Sequence, residues 1–417
     1  MAQTVLVRGA RQLLTLHGPT GPRRGDSMRQ LGVIEDGALL ISDGIITNVG
    51  PTRRIENLAE ARVASEEINA SGRVVMPGFV DSHTHLIAAP PRVGDLRNSG
   101  DRSPSKGAAS YNAEHIRRTS GPSLAFQAKR HLQGFLRHGT TTVEVKTGYG
   151  LDETGEMKML RVIAQLAESG FGIVPSFLTP HTPPPEFTGN LEAYLVWIRD
   201  HVLPKVKTRR LAQFVDTFCD PSGYSVEHAN LLLQAARRLG FETKIHAEQS
   251  VRLGAVRMAV EMGATSIDGL NQIDKSDAMV LGQSQTIGVV MPGPTYQGYD
   301  SRMPPARMLI DEGAALALAS GFNPSVSATY NMMTVIAIAC THMGMTIEEA
   351  ITATTINGAF AVMSAPRIGS LVFGKDADLI MLGVSDYREI PYQFGLNLVA
   401  LTMRKGQVIY REGAVEW

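Results

Sequence analysis

Between residues 72 and 364 the chain alternates eight times between a short apolar run and a longer amphipathic stretch, and this repetition limits the fold more than any other feature. The apolar runs are residues 74–85, 141–146, 172–178, 213–218, 242–246, 265–268, 286–291 and 314–319. Between them lie segments such as 153–167, 226–239 and 251–262, whose apolar residues recur at helical spacing. Strand, helix, strand repeated in this way predicts an α/β fold of parallel strands joined by crossover helices. Eight such units predict a closed (β/α)8 barrel of the TIM type, roughly 250 residues long. The chain has 417 residues, so the barrel leaves both ends over.

Those ends read as β-structure. Residues 4–7, 37–44 and 45–49 carry alternating or β-branched apolar side chains, with a Gly/Pro loop at 18–25. After residue 359 the pattern returns to strands at 369–374, 377–382 and 398–402, with turns expected at 376–378 and 406–410. The predicted division is a composite β-sandwich domain from residues 1–75 plus 366–417, and a barrel over 76–365. A helix over 346–362, with Thr346 as N-cap and Glu348 and Glu349 in its first turn, is expected to close the barrel.

Polar residues then fall at the ends of the predicted strands. Strand one ends in His83 and His85, which project from one face because side chains alternate along a strand. Two neutral imidazoles held this way form half of a site for zinc, iron or a similar metal. Strand two ends near Lys146 and Tyr149, strand three leads to His181, strand five ends in His246 with Glu248 and Gln249 beyond it, and strand eight runs into Asn323. Barrel active sites gather at the carboxyl ends of the strands, so these residues converge on one mouth. Each also has a bland alternative. His83 and His85 could be satisfied surface histidines, Tyr149 a turn anchor between glycines, His181 a loop residue among prolines, Arg92 a solvated arginine and Glu248 an orienting partner for an imidazole. His131 and His138 read as structural.

Composition narrows the function. Forty basic residues balance forty acidic ones, which gives no reason to expect nucleic acid or an anionic membrane as partner. No apolar stretch reaches the length of a membrane helix, and the first eight residues lack the pattern of a signal peptide. With only Cys219 and Cys340, both read as buried apolar residues, a reducing cytoplasm is the expected location. A small molecule is the expected substrate or ligand.

The segments Pro77-Gly-Phe-Val-Asp-Ser-His-Thr-His85 and Lys244-Ile-His-Ala-Glu-Gln249 resemble the amidohydrolase superfamily. Longer segments are similar to imidazolonepropionases, the ring-opening enzymes of histidine degradation. They are Thr141-Thr-Val-Glu-Val-Lys-Thr-Gly-Tyr-Gly-Leu151, Phe177-Leu-Thr-Pro-His-Thr-Pro-Pro-Pro-Glu186, Val215-Asp-Thr-Phe-Cys-Asp220, Phe322-Asn-Pro324 and Ile368-Gly-Ser-Leu-Val-Phe-Gly-Lys-Asp-Ala-Asp378. The resemblance implies a metal-bearing barrel, a composite β-sandwich and a homodimer. It implies one divalent metal ion, zinc or iron, on His83, His85 and His246. It implies substrate contacts from Arg92, Tyr149, His181, Gln249 and Asn323, Arg92 as the fork for a carboxylate.

Two positions depart from the family. Gly321 stands where the family carries an aspartate at strand eight, and Gly269 where it carries a histidine at strand six. Glycine can neither ligate nor carry a proton, so Glu248 or His181 must do the proton work if the chain is to turn over. Three functions follow: a metal-dependent hydrolase of a cyclic amide with an altered base, a catalytically silent paralogue that binds a small carboxylate, or a subunit that stabilises a partner. The retained Arg92, Tyr149, His181 and Asn323 favour the first two.

Overall fold

The computed structural model describes residues 3–91, 108–180, 182–297 and 302–413. The strands, in chain order, are β1 (Thr4–Leu14), β2 (Val33–Ser42), β3 (Ile45–Pro51), β4 (Glu66–Asn69), β5 (Val74–Pro77), β6 (Phe79–Thr84), β7 (Thr140–Lys146), β8 (Gly172–Thr179), β9 (Phe214–Cys219), β10 (Glu242–Ala247), β11 (Ser266–Gly269), β12 (Ile287–Val290), β13 (Leu316–Leu318), β14 (Leu379–Leu382), β15 (Val399–Arg404) and β16 (Gln407–Arg411). The chain divides into two compact units. One comprises Met1–Asp81, Gln133–Thr142 and Asn331–Trp417; the other comprises Ser82–Leu132 and Val143–Tyr330.

The first unit holds a sheet in the order β16-β15-β14-β5-β1-β2-β3, with β4 paired to β1. Both ends of the chain build it: β5 lies between β1, which it pairs in parallel, and β14, which it pairs antiparallel. Side chains from each end share one core, including Val5, Leu13, Leu39 and Val75 with Leu379, Met381, Leu401 and Met403. Each buried aliphatic side chain contributes about 1.5–3 kcal/mol relative to exposure, so neither end is dispensable.

Strands β6 to β13 form the second sheet in sequential order, with parallel pairing between neighbours from β8 onward. A parallel bridge from Thr84 to Phe322, with His85 N–H donating to the Phe322 carbonyl at 2.7 Å, joins the last strand to the first. Helices Glu153–Glu168, Val226–Arg238 and Ala255–Met262 follow β7, β9 and β10. This is the expected eight-stranded barrel, and the sixth strand, expected from only four residues, is present.

Several boundaries differ from expectation. Residues 74–85 are two strands in two sheets. Proline 77 offers no N–H to continue a ladder, and at Gly78 a Cβ would overlap the Thr141 side chain, so only glycine lets the chain change sheets here. Residues 369–374 form no strand, because Gly369 and Gly374 both adopt left-handed backbone (φ 84° and 83°). Where a turn is expected over 406–410, Gln407–Arg411 instead form β16 in antiparallel register with β15. The helix expected over 346–362 breaks at Thr355 (φ −124°, ψ −94°) into Ile347–Thr354 and Ile356–Ala361. Its start is as expected: Thr346 accepts from the Glu349 N–H, and Glu349 Oε2 accepts from the Thr346 N–H at 2.8 Å. Both cysteines are free; Cys219 is buried and Cys340 only partly so.

Candidate active site

Strand alternation sends every second side chain into a barrel, and here the inward set is charged. Glu144 and Lys146 come from β7, Asp216 from β9, Lys244 from β10 and Asp268 from β11, all fully buried. Lys146, Asp216 and Asp268 stand on the second, fourth and sixth barrel strands, the alternation that one interior layer requires. Lys146 Nζ contacts Asp216 Oδ2 at 2.7 Å, Glu144 Oε1 at 2.9 Å and Asp268 Oδ2 at 3.2 Å, while Lys244 Nζ donates to Glu144 Oε2 at 2.6 Å. Burial alone would raise the Asp268 carboxyl, but Lys146, the hydrogen bond from His83 and Lys244 hold it well below the usual carboxylate range. Asp216 goes the other way, because burial outweighs the Lys146 charge. Burial also opposes the charge on Lys146, yet its three carboxylates keep the ammonium well above its ordinary range.

This layer supports the imidazoles at the mouth. His83 Nδ1 lies 2.7 Å from Asp268 Oδ2. An ionised carboxylate only accepts, so Nδ1 carries the proton and Nε2 presents its lone pair. Burial, followed by the Lys146 charge, pushes His83 down to about 4, and burial chiefly does the same to His246. Both rings are therefore neutral at pH 7, as a metal ligand must be. The His83 ring centroid is 5.3 Å from that of His85 and 5.1 Å from that of His246, and both pairs meet edge to face. Two imidazoles sharing one tetrahedral zinc, with Zn–N near 2.1 Å, put their centroids roughly 5 Å apart.

The donors do not close on a point as they stand. Among the described residues no three His, Cys, Asp or Glu side chains are grouped so as to hold a metal ion. The chemistry of the set nevertheless fits one. The His83 and His246 rings are neutral and spaced for a shared ion, Asp268 fixes the His83 tautomer, and His246 Nε2 is buried with no hydrogen-bond partner.

Other expected site residues are distributed unevenly. The Tyr149 ring packs edge-on against His85 at 5.1 Å, and its hydroxyl accepts from Asn323 Nδ2 at 2.7 Å. Burial pushes Tyr149 up to about 12, so the phenol stays protonated. Gln249 hydrogen-bonds to His246. Glu248 is turned elsewhere: its left-handed backbone (φ 57°) aims both oxygens at the following loop, where they accept from the N–H groups of Leu253 and Ala255 at 2.6 Å each. Arg92 and His181 lie outside the described residues.

The two glycines are fixed in the backbone. At Gly269 (φ 102°) a Cβ would lie 2.8 Å from the Ala247 carbonyl oxygen and 3.2 Å from His246 Nε2. At Gly321 (φ 62°) it would lie 3.1 Å from Pro294 Cγ and 3.3 Å from Met291 Sδ. A histidine or aspartate cannot simply be restored at these places without movement of the surroundings.

A family model described as the amidohydrolase family matches residues 74–409. The chain belongs to the amidohydrolase family. Within that family it is 38% identical over 411 residues to an imidazolonepropionase of Solibacter usitatus, covering 97% of this chain and 98% of that one. It is 39% identical to an imidazolonepropionase of Parabacteroides distasonis with the same coverage. Solved structures share the amidohydrolase fold at lower identity. Triazine hydrolase from Arthobacter aurescens matches with a TM-score of 0.77 at 16% identity, over 98% of this chain and 95% of that one. An adenosine deaminase from Xanthomonas campestris, solved with bound zinc, matches with a TM-score of 0.68 at 18% identity, over 97% and 92%.

Sequence reading missed the charged layer beneath the histidines and one further acid, Glu156. The signal for the layer was present as polar or charged residues at alternate positions of the strands: Glu144 and Lys146, Lys244 and His246, Ser266 and Asp268.

Proposed function

We propose that this chain is a metal-dependent hydrolase acting on the carbon–nitrogen bond of a small cyclic amide that carries a carboxylate. Imidazolone propionate, opened to formimidoyl-glutamate in histidine degradation, is the substrate favoured by its relatives. The observation that carries this reading is the cluster of three imidazoles, with the His85 and His246 ring centroids 5.3 Å and 5.1 Å from that of His83, and with Asp268 keeping the proton of His83 on Nδ1 and its lone pair on Nε2. These three would hold one divalent metal, zinc or iron, which when bound polarises a carbonyl and supplies hydroxide near neutral pH. Tyr149 and Asn323 form one hydrogen-bonded pair beside His85 and orient the substrate from that side. Gln249 steadies His246, Arg92 takes the substrate carboxylate as a bidentate fork, and His181 contacts the substrate and is the residue left to move protons. Glu248, with both oxygens engaged by backbone, is assigned to holding the loop after β10. The resemblance extends the reading to a cytoplasmic homodimer that works on a small molecule, with neither nucleic acid nor membrane as partner.

The left-handed glycines favour a second reading, a silent paralogue that binds the same kind of carboxylate without opening it. A general acid–base group is typically worth 10²–10⁴-fold in rate, and Gly321 offers none. Metal analysis and a hydrolysis assay separate the readings. About one equivalent of zinc or iron with slow turnover of imidazolone propionate supports the hydrolase, and one equivalent without turnover supports the binder. Less than about a tenth of an equivalent removes the metal from both.

A further inference from the structure

Tyr149 sits in a loop that does not hold itself. The segment Thr147-Gly-Tyr-Gly-Leu151 leaves β7 and enters helix Glu153–Glu168, and Gly148 adopts a φ of 104° that favours glycine. Gly150 passes so near Gly155 that a Cβ would overlap its backbone. Thr147 N–H still donates to the Ser176 carbonyl of β8 at 3.1 Å, but the turn beyond it leaves the ladder, and buried N–H groups need acceptors. One side chain supplies them. Glu156, in the first turns of the helix and 1% exposed, accepts from Gly148 N–H through Oε2 at 2.9 Å. Its Oε1 accepts from Gly150 N–H at 2.6 Å and Leu151 N–H at 3.1 Å. The Thr147 side chain also hydrogen-bonds to it.

We propose that Glu156 is the positioning residue for Tyr149, its carboxylate gathering the amides on either side of the tyrosine so that the ring stands against His85 and the hydroxyl meets Asn323. The role of Tyr149 toward substrate rests on the functional reading above; the placement of its ring does not. Three features carry the inference. The amides of both neighbours of Tyr149 end on this one side chain, and the loop's glycines leave its shape without intrinsic stiffness. The carboxylate is also far more buried than an unpaired acid tolerates, and burial pushes it up to about 7 despite four donors. The capping of the same helix is handled separately, by Asp152 accepting from Gly155 N–H at 2.6 Å.

The experiment compares Glu156→Gln, Glu156→Asp and Asp152→Ala in the full chain, with ¹³C-labelled tyrosine. The ring resonance that disappears in Tyr149→Phe identifies Tyr149. Glu156→Gln turns an amide NH₂ toward backbone donors, so the Tyr149 resonance should shift and backbone exchange across 147–151 should quicken about tenfold. Where the parent turns over imidazolone propionate, KM should rise about tenfold with kcat within about twofold. Glu156→Asp, with the charge but one methylene short, should fall between parent and Glu156→Gln. Asp152→Ala should lower stability and leave the resonance where it was, which distinguishes positioning from a merely structural effect. A folded Glu156→Gln protein with an unmoved Tyr149 resonance overturns the proposal, and if that variant does not fold, an unmoved resonance in Glu156→Asp overturns it equally. A parent without hydrolysis refutes the functional reading alone, since the resonance still reports where Tyr149 lies.

Discussion

Replacing Lys146 by methionine tests whether the charged layer of the barrel is held together as the geometry indicates. Three buried carboxylates, Glu144, Asp216 and Asp268, face two buried ammonium groups, Lys146 and Lys244. Lys146 touches all three acids, whereas Lys244 reaches only Glu144 among the ion pairs of the described residues. Methionine nearly preserves the volume and removes the charge, leaving Asp216 with the Thr217 N–H and Asp268 with His83 and the Ser266 hydroxyl. Removing one partner of a buried ion pair typically costs 3–5 kcal/mol, and Lys146→Met should fall in that range, about 3–5 kcal/mol at pH 8. Asp268→Asn leaves two acids against two ammonium groups, so it should cost less, about 1–2 kcal/mol from the weakened hydrogen bonds.

The sign of the pH dependence follows from the same charges. In Lys146→Met the stranded carboxyls have folded-state pKa values raised above their unfolded values. Their neutral forms restore stability at low pH, and that stability is lost as pH rises through the raised values. The deficit relative to the parent must therefore shrink from pH 8 to pH 5.5. Chemical and thermal unfolding at both pH values, followed by intrinsic fluorescence and circular dichroism, measures it. A deficit below about 1 kcal/mol at pH 8, or one that grows on acidification, refutes the argument.

Further outcomes follow from other sites. Gly269→Ala puts a Cβ against the Ala247 carbonyl and the His246 ring at a φ of 102°, and should lose about 1–3 kcal/mol and lower zinc uptake, read by calorimetry and metal analysis. Thr346→Ala removes the cap of helix Ile347–Thr354 and should lower stability by about 1 kcal/mol in thermal unfolding, with metal content unchanged. Asp378 is nearly all buried and raised by that burial to about 6, so its charged form weakens the fold as pH rises through 6. Asp378→Asn, which keeps an acceptor for the Lys405 N–H, should match the parent below about pH 4, gain on it as pH rises toward 6, and exceed it by up to roughly 3 kcal/mol at pH 8. His246→Ala should abolish stoichiometric zinc binding, measured by titration calorimetry; retained binding at the parent's stoichiometry would mean that the ion sits elsewhere.

The barrel was legible because its signal is repeated. Eight apolar runs separated by helical segments leave few alternatives, and even Thr265-Ser-Ile-Asp268 proved to be a strand. The two-residue spacing of His83 and His85 was equally readable, since strand geometry alone puts both on one face. Side-chain direction after a strand ends was not readable. Glu248 lies two residues beyond His246, yet a left-handed backbone at Glu248 itself turns its carboxylate toward the Ala255 amide. Pairing between distant segments was also hidden. Nothing local to Val74–Pro77 says that its partners are β1 and β14, so the stretch from 74 to 85, which begins apolar and ends in His83 and His85, read as one strand. Likewise Glu156 sits within an amphipathic helix, and its hold on the Tyr149 loop depends on a turn whose shape only the folded chain reveals.

The place of β5 between β1 and β14 has a consequence for synthesis. A nascent chain that has released Val74–Pro77 owns only one of the two neighbours this strand needs, and the other is encoded some three hundred residues later. Until Leu379–Leu382 clears the ribosome, one flank of β5 exposes open backbone donors and acceptors of the kind that recruit foreign strands. Truncation anywhere short of residue 382 should therefore yield aggregating product even where every barrel strand is present.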